Sequence, residues 1–282
     1  LSNLKKQNIN NVIILQDGSN ENYAIKRLSE KIRVIAKQNN WVYLFEGVSK
    51  GAAEASWNLL DICSSKYKYF LFNEDDILIN ENYFKYIEIF LQKKEQGFLH
   101  DVVSLSPYAE LRSFKNKWTK SKRFHIWGSV IESAFYKNFY RKSISKGLKI
   151  WNNPNLKERR LWNEIFLLNR KSNENIYDVQ FTIALLSSQK YQLRTPLDEA
   201  IHIGYGDKST HFKDLSEEKL NFEIDSWKKN LFKNNVDSFD FMDKAIIDDK
   251  SVKNSGISLL SLIINYLKII IFDISKTIKN YK

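Results

Sequence analysis

The chain has 282 residues, is 43% hydrophobic and 14% aromatic, and carries one cysteine and a formal charge of +11. That length and apolar content suit one large domain or one domain with an appendage, and a lone cysteine excludes an internal disulfide framework. No run of about 18 uninterrupted apolar residues is present, so the pattern of a membrane-spanning helix is missing. The charge excess is local: Arg112 to Lys149 holds eleven Lys/Arg against a single acid, Glu132. Such density suits a phosphate-bearing ligand or an anionic membrane surface. With no zinc-ligand spacing and no nucleic-acid-binding motif beside it, nucleic acid is not the expected partner.

In chain order, Asn11 to Leu15 reads as a strand that ends in the turn signal Gln16-Asp17-Gly18-Ser19. Glu21 to Lys37 reads as a helix with Ala24, Leu28, Ile32 and Ile35 on one face. Trp41 to Phe45 is the next strand, and Gly51 to Cys63 a helix rich in small residues. Tyr67 to Phe72 is an aromatic strand running into Asn73-Glu74-Asp75-Asp76. This alternation predicts parallel pairing, because parallel neighbours need a crossover that is usually helical.

Further on, Tyr83 to Gln96 is an amphipathic helix turning Phe84, Ile87, Phe90 and Leu91 inward, and Val102 to Leu105 a short strand. Phe124 to Ser129 leads into a helix expected to run through Tyr140. Arg159 to Asn169 and Val179 to Ser187 read as helices, and Leu197 to His202 leads into a Gly204–Asp207 loop. Ile257 to Phe272 is apolar but interrupted by Ser258, Ser261, Asn265 and Lys268, with Lys276, Lys279 and Lys282 following. That segment fits a helix lying in the interface of an anionic bilayer or one packed on the domain.

Three carboxylates in a row repel one another unless a cation sits among them, and a divalent metal is the usual answer. In an open α/β sheet, ligands gather at the carboxyl ends of the strands, where Glu74, Asp75 and Asp76 fall. The plainer alternative is a solvated acidic turn ahead of a helix capped by Asn80. Asp17, at another strand end, suits either a carboxylate receiving a base N–H or an Asx turn. Its pairing with a second strand-end acidic cluster favours the ligand.

Val12–Ser19 (VIILQDGS) followed by Phe70–Leu78 (FLFNEDDIL) resembles the nucleotide-binding half of GT-A glycosyltransferases. The likeness is to N-acetylglucosaminyltransferase I and to bacterial haemolytic-protein-like glycosyltransferases. Ile126-Trp127-Gly128-Ser129 with Phe135-Tyr136, then Tyr177-Asp178-Val179-Gln180, then Ile203-Gly204-Tyr205-Gly206 with Ser209-Thr210-His211, are similar to later motifs of the bacterial proteins. The ordered set spans about residues 10 to 212. Two tryptophans of the first later motif are missing, and a strand that the family places before the strand ending at Asp17 has no counterpart here.

The resemblance implies an α/β GT-A fold, a Rossmann-like and mainly parallel sheet flanked by helices, over residues 1–249, with an amphipathic helical tail over 250–282. It implies a metal-dependent inverting transfer of a sugar from a nucleotide donor, UDP-linked by analogy, to a bacterial surface glycan or a lipid-linked acceptor. Asp17 would contact the base, Glu74 and Asp75 the ribose or donor sugar, and Asp76 an Mn²⁺ or Mg²⁺ ion, with His211 a second metal or diphosphate contact. Asp178 would be the general base, and Trp127 a binding residue, best suited to stacking on the acceptor. His202 falls where the family carries a small or amide residue, so no role is expected of it. A cytoplasmic enzyme, or one peripheral on the inner face of the plasma membrane, is expected. The rival readings are a nucleotidyltransferase acting on sugar phosphates, which would want a glycine-rich basic loop after its first strand, and a non-catalytic membrane-surface module. The second would not need Asp17, Asp76 and Asp178 together.

Overall fold

A computed structural model describes residues 9–18, 23–109, 117–141, 177–203 and 246–247, with the backbone alone at 24, 177–179 and 246–247. The expected helix over 159–169, the loop at 204–211 and the tail at 257–282 lie outside these residues.

The first unit is β1 (Ile13–Gln16), α1 (Tyr23–Gln38), β2 (Val42–Phe45), α2 (Ala52–Lys66) and β3 (Tyr69–Phe72). β1 and β2 pair in parallel, as their helical crossover requires. Helix α1 turns Ser29 and Ala36 inward, whereas Leu28, expected on that face, is 52% exposed. Helix α2 packs on both β1 and β3 and carries Cys63, half-buried, whose thiol is pushed up to about 11 mainly by burial.

β4 (Ile77–Ile79) follows the acidic turn, and α3 (Glu81–Glu95) starts at Asn80, whose side chain accepts a hydrogen bond from the Asn82 amide. Then come β5 (Val102–Ser106), β6 (Thr119–Ser121) and β7 (Ser129–Glu132). α4 (Ser133–Phe135) runs on as one π-helical turn, Tyr136–Tyr140. α5 (Tyr177–Ser188), β8 (Tyr191–Arg194), β9 (Ala200–His202) and β10 (Ile246–Ile247) complete the described elements.

The fold is α/β, but the sheet is mixed rather than mainly parallel. Six strands run β10-β6-β8-β5-β7-β3, and β4 and β9 form a separate antiparallel pair. Of the seven pairings among the described residues, four are antiparallel and three parallel. β3, expected beside β1 and β2, bonds instead to β7, which the sequence had suggested as the start of a helix. The physical reason is burial on both faces. Phe70 and Phe72 of β3 and Ile131 of β7 pack into one apolar layer with α2, α4 and α5. Tyr69, Leu71 and Val130 pack into the other, with α3, β4 and β9. Strands covered on both sides carry no polar alternation to reveal their direction. Helix α3 buries Tyr83, Tyr86 and Phe90 there, while Phe84 and Ile87 sit half-buried at its flank. No helix among the described residues is long and apolar enough to cross a membrane.

Candidate functional site

The pairing senses fix where the strands end. β3 and β5 each run antiparallel to β7, and β5 runs parallel to β8, so β3, β5 and β8 deliver their carboxyl ends to one edge. Asn73 to Asp76, Pro107 and Tyr108, and Thr195 to Glu199 leave the sheet there, and β7 enters from the same edge behind Trp127 and Gly128.

Asp17 stands at the end of β1 and grips the loop before α2. Its Oδ1 accepts from the amides of Gly18 at 2.9 Å and Lys50 at 2.8 Å; its Oδ2 accepts from Ser49 Oγ at 2.7 Å and the Gly51 amide at 3.1 Å. Burial raises the pKa, and these four bonds outweigh it, holding the carboxyl below its ordinary value. A carboxylate offers about four lone-pair directions. All are engaged by the protein, so a base N–H could reach this group only by displacing one of them. Gly18 is required by the same clasp. A Cβ there would collide with the Val48–Ser49 peptide and come within 2.6 Å of Glu46 O.

The acidic turn is shaped by Asn73, whose Nδ2 donates to the carbonyls of Glu74 at 2.9 Å and Ile77 at 3.1 Å. Asp75 is exposed at the tip, and Glu74 and Asp76 are half-buried. Antiparallel pairing of β4 with β9 sets Ile77 opposite His202. The neighbouring Asp76 then receives the Ile203 amide on its carbonyl at 2.7 Å, and its Oδ2 lies 3.1 Å from His202 Nε2. Asp76 Oδ1 is buried without a hydrogen-bond partner. The Trp127 ring stands 5.3 Å from the His202 ring.

No family model matches this chain, and no curated protein matches it. The site therefore rests on its own geometry. That geometry gives His202 a partner which motif matching withheld from it. The signal that could have found it is strand register, since a histidine opposite the residue after Asp76 must meet the acidic turn.

Among the described residues no three His, Cys, Asp or Glu are grouped to hold a metal. Asp76 and His202 could offer two donors, and Asp76 Oδ1 is buried there without a hydrogen-bond partner. A carboxylate suits Mg²⁺ or Mn²⁺, which are commonly held by one or two carboxylates with substrate phosphates and water completing the shell, and the imidazole beside it is a softer donor that suits Mn²⁺ better than Mg²⁺. The donor set fits such an ion.

Trp127 packs against both core layers, and Gly128 is in the left-handed region at φ 67°. The space in front of Gly128 is filled by the protein itself. A Cβ there would lie 2.9 Å from Pro107 Cγ and 3.3 Å from Ile79 Cδ1. Asp178 is the second residue of α5, one turn before Thr182, whose hydroxyl accepts the Phe124 amide at 3.0 Å. Helix α5 is thus tied at Thr182 to the segment leading to Trp127; the side chain of Asp178 and His211 lie outside the described atoms.

Proposed function

We propose that this chain is a metal-dependent, inverting GT-A glycosyltransferase that moves a sugar from a nucleotide donor, UDP-linked by analogy, to a surface-glycan or lipid-linked acceptor. The observation that carries the reading is the Asp76–His202 pair, set 3.1 Å apart at the carboxyl edge of a mixed α/β sheet with Trp127 against it. A solvated acidic turn has no need to bury Asp76 Oδ1 beside an imidazole. The ordered likeness of residues 10 to 212 to GT-A enzymes points the same way.

In this reading Asp76 Oδ1 and His202 Nε2 would hold Mn²⁺ or Mg²⁺, with His211 available as a further contact. The bound cation supplies neutralisation of the leaving diphosphate, worth several kcal/mol. Glu74 and Asp75 border the donor, and Asp17 shapes the β1 end of the nucleotide site by holding the Ser49–Gly51 loop. Trp127 offers a flat apolar face to the acceptor. Asp178 takes the proton of the acceptor hydroxyl as that oxygen attacks opposite the leaving group, which inverts the configuration.

Calorimetric titration of UDP in Mn²⁺ tests the assignment. Asp76→Asn and His202→Ala should each weaken binding about 10-fold or more, an energy change of about 1.4 kcal/mol, with the fold retained. Unchanged affinity in both variants would remove the metal role from this pair.

A further inference from the structure

Gln192 sits in the middle of β8, and its side chain is completely buried. A primary amide inside a sheet costs about 1–3 kcal/mol for each polar group left unpaired, so its partners define its purpose. Oε1 accepts from the His125 amide at 2.7 Å, and Nε2 lies 2.8 Å from the His125 carbonyl. One side chain therefore pairs both main-chain groups of a single residue, as a neighbouring strand would. Nε2 also lies 3.0 Å from Ser104 Oγ and 3.1 Å from Ser129 Oγ, and the Ser129 hydroxyl donates to the same His125 carbonyl.

The residues so held bracket a turn. His125 is fixed at one end and Ser129 at the other, where its amide bonds to Ile126 O at 3.0 Å. Trp127 is the outward residue between them. Its ring meets His125 at 6.0 Å and His202 at 5.3 Å, and His202 meets Asp76. An unbroken series of contacts thus runs from the centre of β8 to the acidic turn. An aliphatic residue at 192 would fill the space but could not choose the direction of the chain at His125.

We propose that Gln192 is a positioning residue that sets Trp127 against His202 and so fixes the geometry of the Asp76–His202 pair. Its bearing on sugar transfer rests on the glycosyltransferase reading; the positioning itself does not.

The His202 ring protons feel the ring current of Trp127, which gives a readout independent of activity. In NMR spectra of the full chain, with His202 assigned through His202→Gln, Gln192→Leu should move these resonances in the direction taken by Trp127→Leu. Ser104→Ala, which removes only the outlying partner, should leave them in place. Ser129→Ala should shift them part of the way, and a silent Ser129→Ala would overturn the proposal even if Gln192→Leu fails to fold. Unmoved His202 signals in a folded Gln192→Leu protein would also overturn it. Where the signals move, UDP affinity in Mn²⁺ should fall about 5-fold if the same pair binds the metal. A shift in a protein whose wild type binds no UDP in Mn²⁺ would uphold the positioning role and sink the glycosyltransferase reading.

Discussion

Glu199 and His125 are titratable groups held away from their ordinary ranges near the site edge, in opposite directions. Burial, reinforced by Asp198, pushes Glu199 up to about 7. Burial, reinforced by Arg194 and Arg123, pushes His125 down to about 3. The folded protein therefore holds a proton on Glu199 that the unfolded chain releases above its ordinary value of 4.5, so this stability is lost as pH rises towards 7. The unfolded chain binds a proton on His125 below 6.5 that the folded protein refuses, so stability is lost as pH falls from there. Between about 4.5 and 6.5 the two slopes oppose. Glu199→Gln should remove one of them: thermal melts of the variant should rise with pH across that window more steeply than wild type. Parallel melting curves for the two proteins would show that Glu199 ionises normally. Asp17 supports a second expectation at this scale. Asp17→Ala should cost about 1–3 kcal/mol of stability through the lost loop bonds. If UDP affinity in Mn²⁺ survives that change, the residue is a clasp and not a base reader.

Among the elements, the strand–helix alternation of the first half was legible because crossovers and amphipathic helices leave their period in the sequence. Helix α5 was read as Val179 to Ser187 and spans Tyr177–Ser188. β7 was not legible. Its Ser-Val-Ile-Glu is buried on both faces, and the strands it joins, β3 and β5, lie far away in sequence. Local pattern cannot supply such a partner. The antiparallel pair β4–β9, separated by about 120 residues, escaped for the same reason, and with it the contact of His202 with Asp76. The docking of α5 depends on Phe181, stacked 3.8 Å from the Tyr140 ring and 4.5 Å from the Phe124 ring. Phe181→Ala should cost about 3–5 kcal/mol, read in urea melts. A loss under about 1 kcal/mol would mean that α5 is anchored elsewhere.

At the scale of the whole molecule, acidic strand ends were readable because three adjacent carboxylates need a physical reason. What they face was not, since that depends on register. The proposed division of labour predicts opposite kinetic signatures for two aspartates. Asp178→Asn should leave UDP and Mn²⁺ binding intact and lower turnover about 100-fold or more, the range expected for a lost general base. Asp76→Asn should lose donor binding first. Near wild-type turnover in Asp178→Asn would place the base elsewhere.

The half-buried thiol on α2 bears on how the site can be watched. A group pushed to about 11 is thiolate in only about one molecule in ten thousand at pH 7. Since the chain has no other cysteine, alkylating reagents find almost no native target. Asp75→Cys, at the exposed tip of the acidic turn, would therefore accept a single fluorophore on an otherwise unmodified protein. Mass spectrometry should show one label on that variant and none on wild type. If the glycosyltransferase reading holds, the dye would then report nucleotide and metal reaching the turn in real time.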